Sequence, residues 1–206
     1  MLKKVALLVA LVAALPFAAF AGSQVDFTNA GGTLTGSSSG MALTNSTLIA
    51  VNGLGGGGLV TGISLGSYSF STGALTGGNL QMGATFAGGG SVLIVGNGIN
   101  GVTAGTIFSG TFSGPVTWTL ITLKNGTHNY TLTGSISGNY ANGVAANGVT
   151  VQLTVNTGKG FFNGKVAGSS GDTNISQSVA PEPGTLLLLG TGLVGIAGAL
   201  RKRMAA

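Results

Sequence analysis

The chain has no cysteine, one histidine and three acidic residues among 206 positions. Each scarcity removes a class of function. Without cysteine there is no disulfide framework and no thiolate metal site. His128 with Asp26, Asp172 and Glu182 is too thin a ligand set for zinc or calcium, so neither metal nor cofactor is expected. His128 follows a turn signal and reads as a satisfied or solvated residue. As a catalytic base it would need an orienting carboxylate, and outside the tail only Asp26 and Asp172 are on offer. Those two read as scattered surface charges, with Asp26 on a mobile approach to the first strand. As a glycosidase pair they would need a defined separation, which sequence does not specify. No catalytic residue is assigned. The glycine runs 55–58 and 88–90 lack the lysine and helix start of a phosphate cradle and read as loops.

Charge is scarce in the body of the chain as well. The formal net charge is +5, but Lys3, Lys4, Arg201, Lys202 and Arg203 sit at the two ends. Between them, Lys124, Lys159 and Lys165 face only Asp26 and Asp172. A nucleic-acid-binding domain needs a basic stripe, and none is present, so nucleic acid is excluded as a partner.

What is present at the ends is specific. Met1-Leu2-Lys3-Lys4 is a short basic segment, Val5 to Leu15 is apolar, and Ala19-Phe20-Ala21 gives a small-x-small pattern before Gly22. This is the layout of a signal peptide cut by signal peptidase, with cleavage at Ala19, Ala21 and Gly22, so residues 1–21 are a leader. At the other end, Pro181-Glu182-Pro183 precedes an apolar run from Thr185 to Leu200 and then Arg201-Lys202-Arg203. Sixteen helical residues rise about 24 Å, short of a roughly 30 Å hydrocarbon core, and the arginines extend the reach by snorkelling. The basic triplet stops transfer and stays cytoplasmic. The prolines keep the helix from growing upstream and hold Glu182 in extended backbone.

These three elements in this order resemble a PEP-CTERM sorting signal over residues 179–206. The resemblance implies recognition of Pro181, Glu182 and Pro183 by exosortase, a membrane-embedded processing enzyme. It implies export to the cell surface or beyond in a Gram-negative bacterium, with transient anchoring in the inner membrane and an association with exopolysaccharide.

The body, residues 22–178, holds all but five of the forty glycines and is rich in Thr, Ser and Asn. Its periodicity is that of strands. Val149, Val151, Leu153 and Val155 alternate with Thr150, Gln152 and Thr154; Val116, Trp118 and Leu120 alternate with Thr117 and Thr119; Tyr130, Leu132 and Ile136 repeat the pattern. Strands are predicted at 41–51, 59–65, 79–87, 91–96, 106–113, 116–124, 127–137 and 149–156. Asn125-Gly126 predicts a type I′ hairpin turn, with Asn97-Gly98, Asn147-Gly148 and Asn163-Gly164 as weaker copies. The expected fold is all-β, an antiparallel sandwich or jelly-roll-like domain flanked by the signal helix and the transmembrane helix 185–200, with a β-solenoid as the alternative.

The composition thus predicts a noncatalytic exported surface or matrix protein. Two other readings make different demands. A carbohydrate-binding module would expose Trp118 as a stacking platform, where the core reading buries Trp118 and Tyr130. A secreted hydrolase would bring His128 within hydrogen-bond reach of Asp26 or Asp172.

Overall fold

A computed structural model of the protein describes residues 24–168 and 170–176, all within one compact unit, Ser23–Ser178. Ala19, Ala21 and Gly22, the sorting motif Pro181-Glu182-Pro183, the helix 185–200 and Arg201-Lys202-Arg203 lie outside the described residues. Among the described residues no helix is long and apolar enough to cross a membrane.

Thirteen strands appear among the described residues: β1 (Gln24–Ala30), β2 (Thr33–Ser37), β3 (Gly40–Asn52), β4 (Val60–Ser71), β5 (Leu75–Asn79), β6 (Gly83–Phe86), β7 (Gly89–Gly96), β8 (Gly105–Phe112), β9 (Val116–Thr122), β10 (His128–Tyr140), β11 (Ala145–Asn156), β12 (Lys165–Ala167) and β13 (Ser170–Ser176). Every ladder among them is antiparallel. The all-β antiparallel expectation holds, and the parallel coils of a solenoid are excluded.

The pairing is more continuous than two separate sandwich sheets. The order β11-β13-β1-β3-β4-β7-β8-β10 returns to its start because β10 also pairs β11. The circuit therefore closes, which removes sheet edges along it. Two long strands make closure possible. The first half of β10 pairs β9 and its second half pairs β8 on the same edge, across the break at Ser113-Gly114-Pro115. In the same way β3 carries β2 and then β1, across the break at Gly31-Gly32. The remaining strands extend from these two, β6 and β5 beyond β9, and β12 beside β2.

Side-chain alternation does the rest. Trp118, Tyr130, Leu132, Ile136, Val151, Leu153 and Val155 are buried. The backbone of Val149 pairs with Ile136, while its side chain lies outside the described set. Close approach of β8 to β10 depends on glycine. A Cβ on Gly138 would lie 2.2 Å from the Ser109 carbonyl oxygen and 2.5 Å from the Gly110 Cα.

Two turns correct the sequence reading. Asn125-Gly126 does close the β9–β10 hairpin, with Thr122 opposite His128. Only Gly126 has positive φ, +78°, and its amide bonds the Leu123 carbonyl at 2.9 Å. This is a three-residue loop ending in a left-handed glycine, not a type I′ turn. Asn125 contributes through its side chain, which accepts from the Thr127 amide at 3.1 Å. Asn147-Gly148 is no turn: Gly148 is the extra residue of a bulge within β11, between the Ile136–Val149 and Ser137–Asn147 pairs. The β10–β11 hairpin instead turns at Asn142-Gly143, with Gly143 at φ +81°. The predicted strand 79–87 covers the turn of the β5–β6 hairpin and β6.

Candidate functional site

The aromatic residues form a core cluster. Trp118 on β9 is 1% exposed and stacks on Tyr130 of β10, centroids 4.9 Å apart and planes 12° apart. Phe162 meets Trp118 edge-on at 5.2 Å. Each polar tip is satisfied. The indole Nε1 donates to the Leu80 carbonyl at 3.0 Å, and the Tyr130 hydroxyl donates to the Gln81 carbonyl at 2.6 Å while accepting from the Phe162 amide at 3.1 Å. Trp118 is a pinned core residue, and the exposed platform required of a carbohydrate-binding module on this residue is missing.

His128 is buried and satisfied. Its Nδ1 lies 3.1 Å from the Thr122 Oγ1, and its ring stacks on Phe161 with centroids 4.4 Å apart. In the sheet order β11 separates its strand, β10, from β13 and β1, which carry the aspartates.

Asp26 and Asp172 are where the sequence reading fails most. They are not scattered charges, and Asp26 is not on a mobile approach. Asp26 lies within β1 opposite Asn174, and Asp172 lies on β13 opposite Thr28, one diagonal step away. Burial, a hydrogen bond with Asp172 and the charge of Asp172 push the Asp26 carboxyl up from 3.8 to about 6. Asp26 Oδ1 is enclosed without a donor. Two ionised carboxylates are both acceptors, so only a proton on one of them gives the pair a hydrogen bond. Among the described residues no group of three or more His, Cys, Asp or Glu side chains is placed to hold a metal ion.

The outward face across β6, β9, β10, β11, β13 and β1 has an order that the sequence does not reveal. Register places Thr85, Thr117, Thr133, Gln152, Asp172 and Thr28 in one row across six strands. The next row is Thr119, Thr131, Thr154 and Ser170. Neighbours are cross-linked by side chains: the Thr117 and Thr133 hydroxyls lie 2.5 Å apart, and Asn156 Nδ2 donates to Asn129 Oδ1 at 2.5 Å. Strand spacing sets the residues of a row about 4.8 Å apart at the backbone, and successive rows about 6.8 Å apart. A shallow groove of about 290 Å³ near the β2–β3 turn is lined by Thr35, Ser37, Ser39, Ser71 and Thr72 among others and, unlike the row that holds Asp172, has no charged group.

Residues 179–203 match the model of the PEP-CTERM protein-sorting motif. The stretch holds Pro181-Glu182-Pro183 and Arg201-Lys202-Arg203, the residues on which the resemblance rested. This sorting motif implies an exported, cell-surface protein processed by exosortase and transiently anchored in the membrane. Comparison with curated proteins and with solved structures yields no match.

Proposed function

We propose that the protein is a noncatalytic surface or matrix component of a Gram-negative bacterium, delivered by its sorting motif and associated with exopolysaccharide. The supporting observation is the ordered array of Thr, Gln and Asn side chains on the outer face. Hydroxyls and amides at fixed spacing, with Asp172 the one charged member of the two rows, hydrogen-bond a hydroxyl-rich polymer at a lower desolvation cost than a charged surface. The burial of Trp118 leaves this polar array, rather than ring stacking on that residue, as the means of contact. The satisfied state of His128 and its separation from both aspartates support a noncatalytic role.

The test is co-sedimentation of the processed protein, recovered from producing cells, with the exopolysaccharide of the same cells. Binding that is lost in Thr119→Glu/Thr154→Glu with unchanged melting is the expected result. Protein that stays in the supernatant, or a variant that binds like the parent, contradicts the proposal.

A further inference from the structure

β13 is the strand that completes the circuit, lying between β11 and β1, yet it is poorly suited to hold it. Its inward residues are Gly171, Thr173 and Ile175, so Ile175 is its sole apolar core side chain among the described residues. Gly171, Asp172 and Asn174 are poor strand formers. One buried polar atom here lacks a hydrogen bond, Asn29 Oδ1 on the β1 side next to Gly171, while Thr173 is set against the buried Tyr68 hydroxyl. Across the seam to β1 stand the two carboxyls. Asp26 faces Asn174 and Asp172 on β13 and Asn52 on β3, and Asp172 faces Thr28 on β1 and Gln152 on β11. Among the described residues no cation stands opposite either. Lys124 lies at the β9–β10 turn, Lys159 in the loop after β11, and Lys165 on β12 opposite Thr35.

β13 is also the last strand before the sorting motif. Four residues separate Ser176 from Pro181, five Cα steps that span at most about 18 Å. Measured from Ala167, the end of β12, the same motif is fourteen steps away, at most about 50 Å.

We propose that β13 is a releasable closing strand, which parts first from β1 and then from β11 and thereby gives Pro181-Glu182-Pro183 the reach to enter its processing enzyme. The second half of this statement rests on the sorting-motif reading; the first does not. Weak core attachment and like charges across the seam place β13 at the low end of local stability, while β10 and β11 stay closed. Ionisation of Asp26 favours the open form, so acidification closes the strand.

Hydrogen exchange on the full chain, purified from cells without the processing enzyme, tests the opening. At about pH 7.5 the amides of Gly171 to Ile175, corrected for intrinsic rates, exchange at least roughly tenfold faster than those of Leu132 to Ile136. Asp26→Asn slows β13 selectively, and parent and variant converge only toward about pH 4, where the carboxyl holds its proton in the open as well as the closed form. Asp172→Asn gives the same selective slowing if Asp26→Asn misfolds. In processing cells Asp26→Asn slows conversion to the lower mass. Equal protection of β13 and β10, or neither variant affecting β13, overturns the proposal. Selective slowing with an unchanged conversion rate overturns its link to processing. A parent protein that is never converted defeats the sorting-motif reading, and the exchange result still decides the opening.

Discussion

The β10–β11 hairpin and the β1–β13 seam are both ladders in one closed circuit, built on different terms. In the hairpin, Tyr130, Leu132, Ile136, Val151, Leu153 and Val155 bury apolar surface on one side, and Asn156 donates to Asn129 on the other. At the seam β1 brings Val25 and Phe27 to the core, while β13 brings Ile175 beside a glycine and Thr173, and the outer face is bridged by Thr28 Oγ1 donating to Asp172 Oδ1 and Gln24 Nε2 donating to Asn174 Oδ1. Ladder hydrogen bonds alone do not distinguish the two. The difference lies in side chains, since net backbone hydrogen-bond stability is modest and burial dominates.

Substitutions on the two sides sharpen this contrast. Trp118→Ala, on the hairpin side, removes a buried ring and its stacking partner and is expected to cost about 3–5 kcal/mol, read as a loss of global melting temperature. Tyr130→Phe keeps the ring but strands the Gln81 carbonyl and the Phe162 amide. The expected loss is about 1–3 kcal/mol, and a neutral result would show that these groups find other partners. Gly126→Val forces a β-branched residue to φ +78°, at a cost of order 1–3 kcal/mol; an unchanged melt would contradict the turn geometry.

The smallest effect has the opposite sign. The Asp26 carboxyl is raised from 3.8 to about 6 on folding, so the folded state holds its proton more tightly than the unfolded chain. Its contribution is fully present at low pH, declines as pH rises through that window, and is absent above about 6. Asp26→Asn should therefore stabilise the protein at neutral pH and not at pH 4, measured by thermal melts at the two values. A variant less stable than the parent at neutral pH would show that the pair holds the seam together.

The strands with strict period-two patterns, β9, β10 and β11, were legible because half-buried strands write burial directly into sequence. β1, β2, β12 and β13 were less so, since Gly, Asn, Asp and Thr occupy positions where alternation normally speaks. Local turn chemistry misled in both directions. Asn147-Gly148 carries the dipeptide of a turn but is held in β11 by tertiary pairing, and Asn142-Gly143 turns the chain with the same letters. The seam was illegible for a simple reason. Asp26 and Asp172 are 146 positions apart, and only the pairing of the first strand with the last brings them together. The C-terminal sorting motif was legible from local order alone, because linear motifs carry their chemistry in sequence.

Intact mass spectrometry of the protein recovered from cells with an active exosortase tests the account most directly. The account predicts a chain that begins at Gly22, keeps β13 through Ser176, and has lost Arg201-Lys202-Arg203 by processing near Pro181-Glu182-Pro183. A mature chain still ending at Ala206 would contradict it.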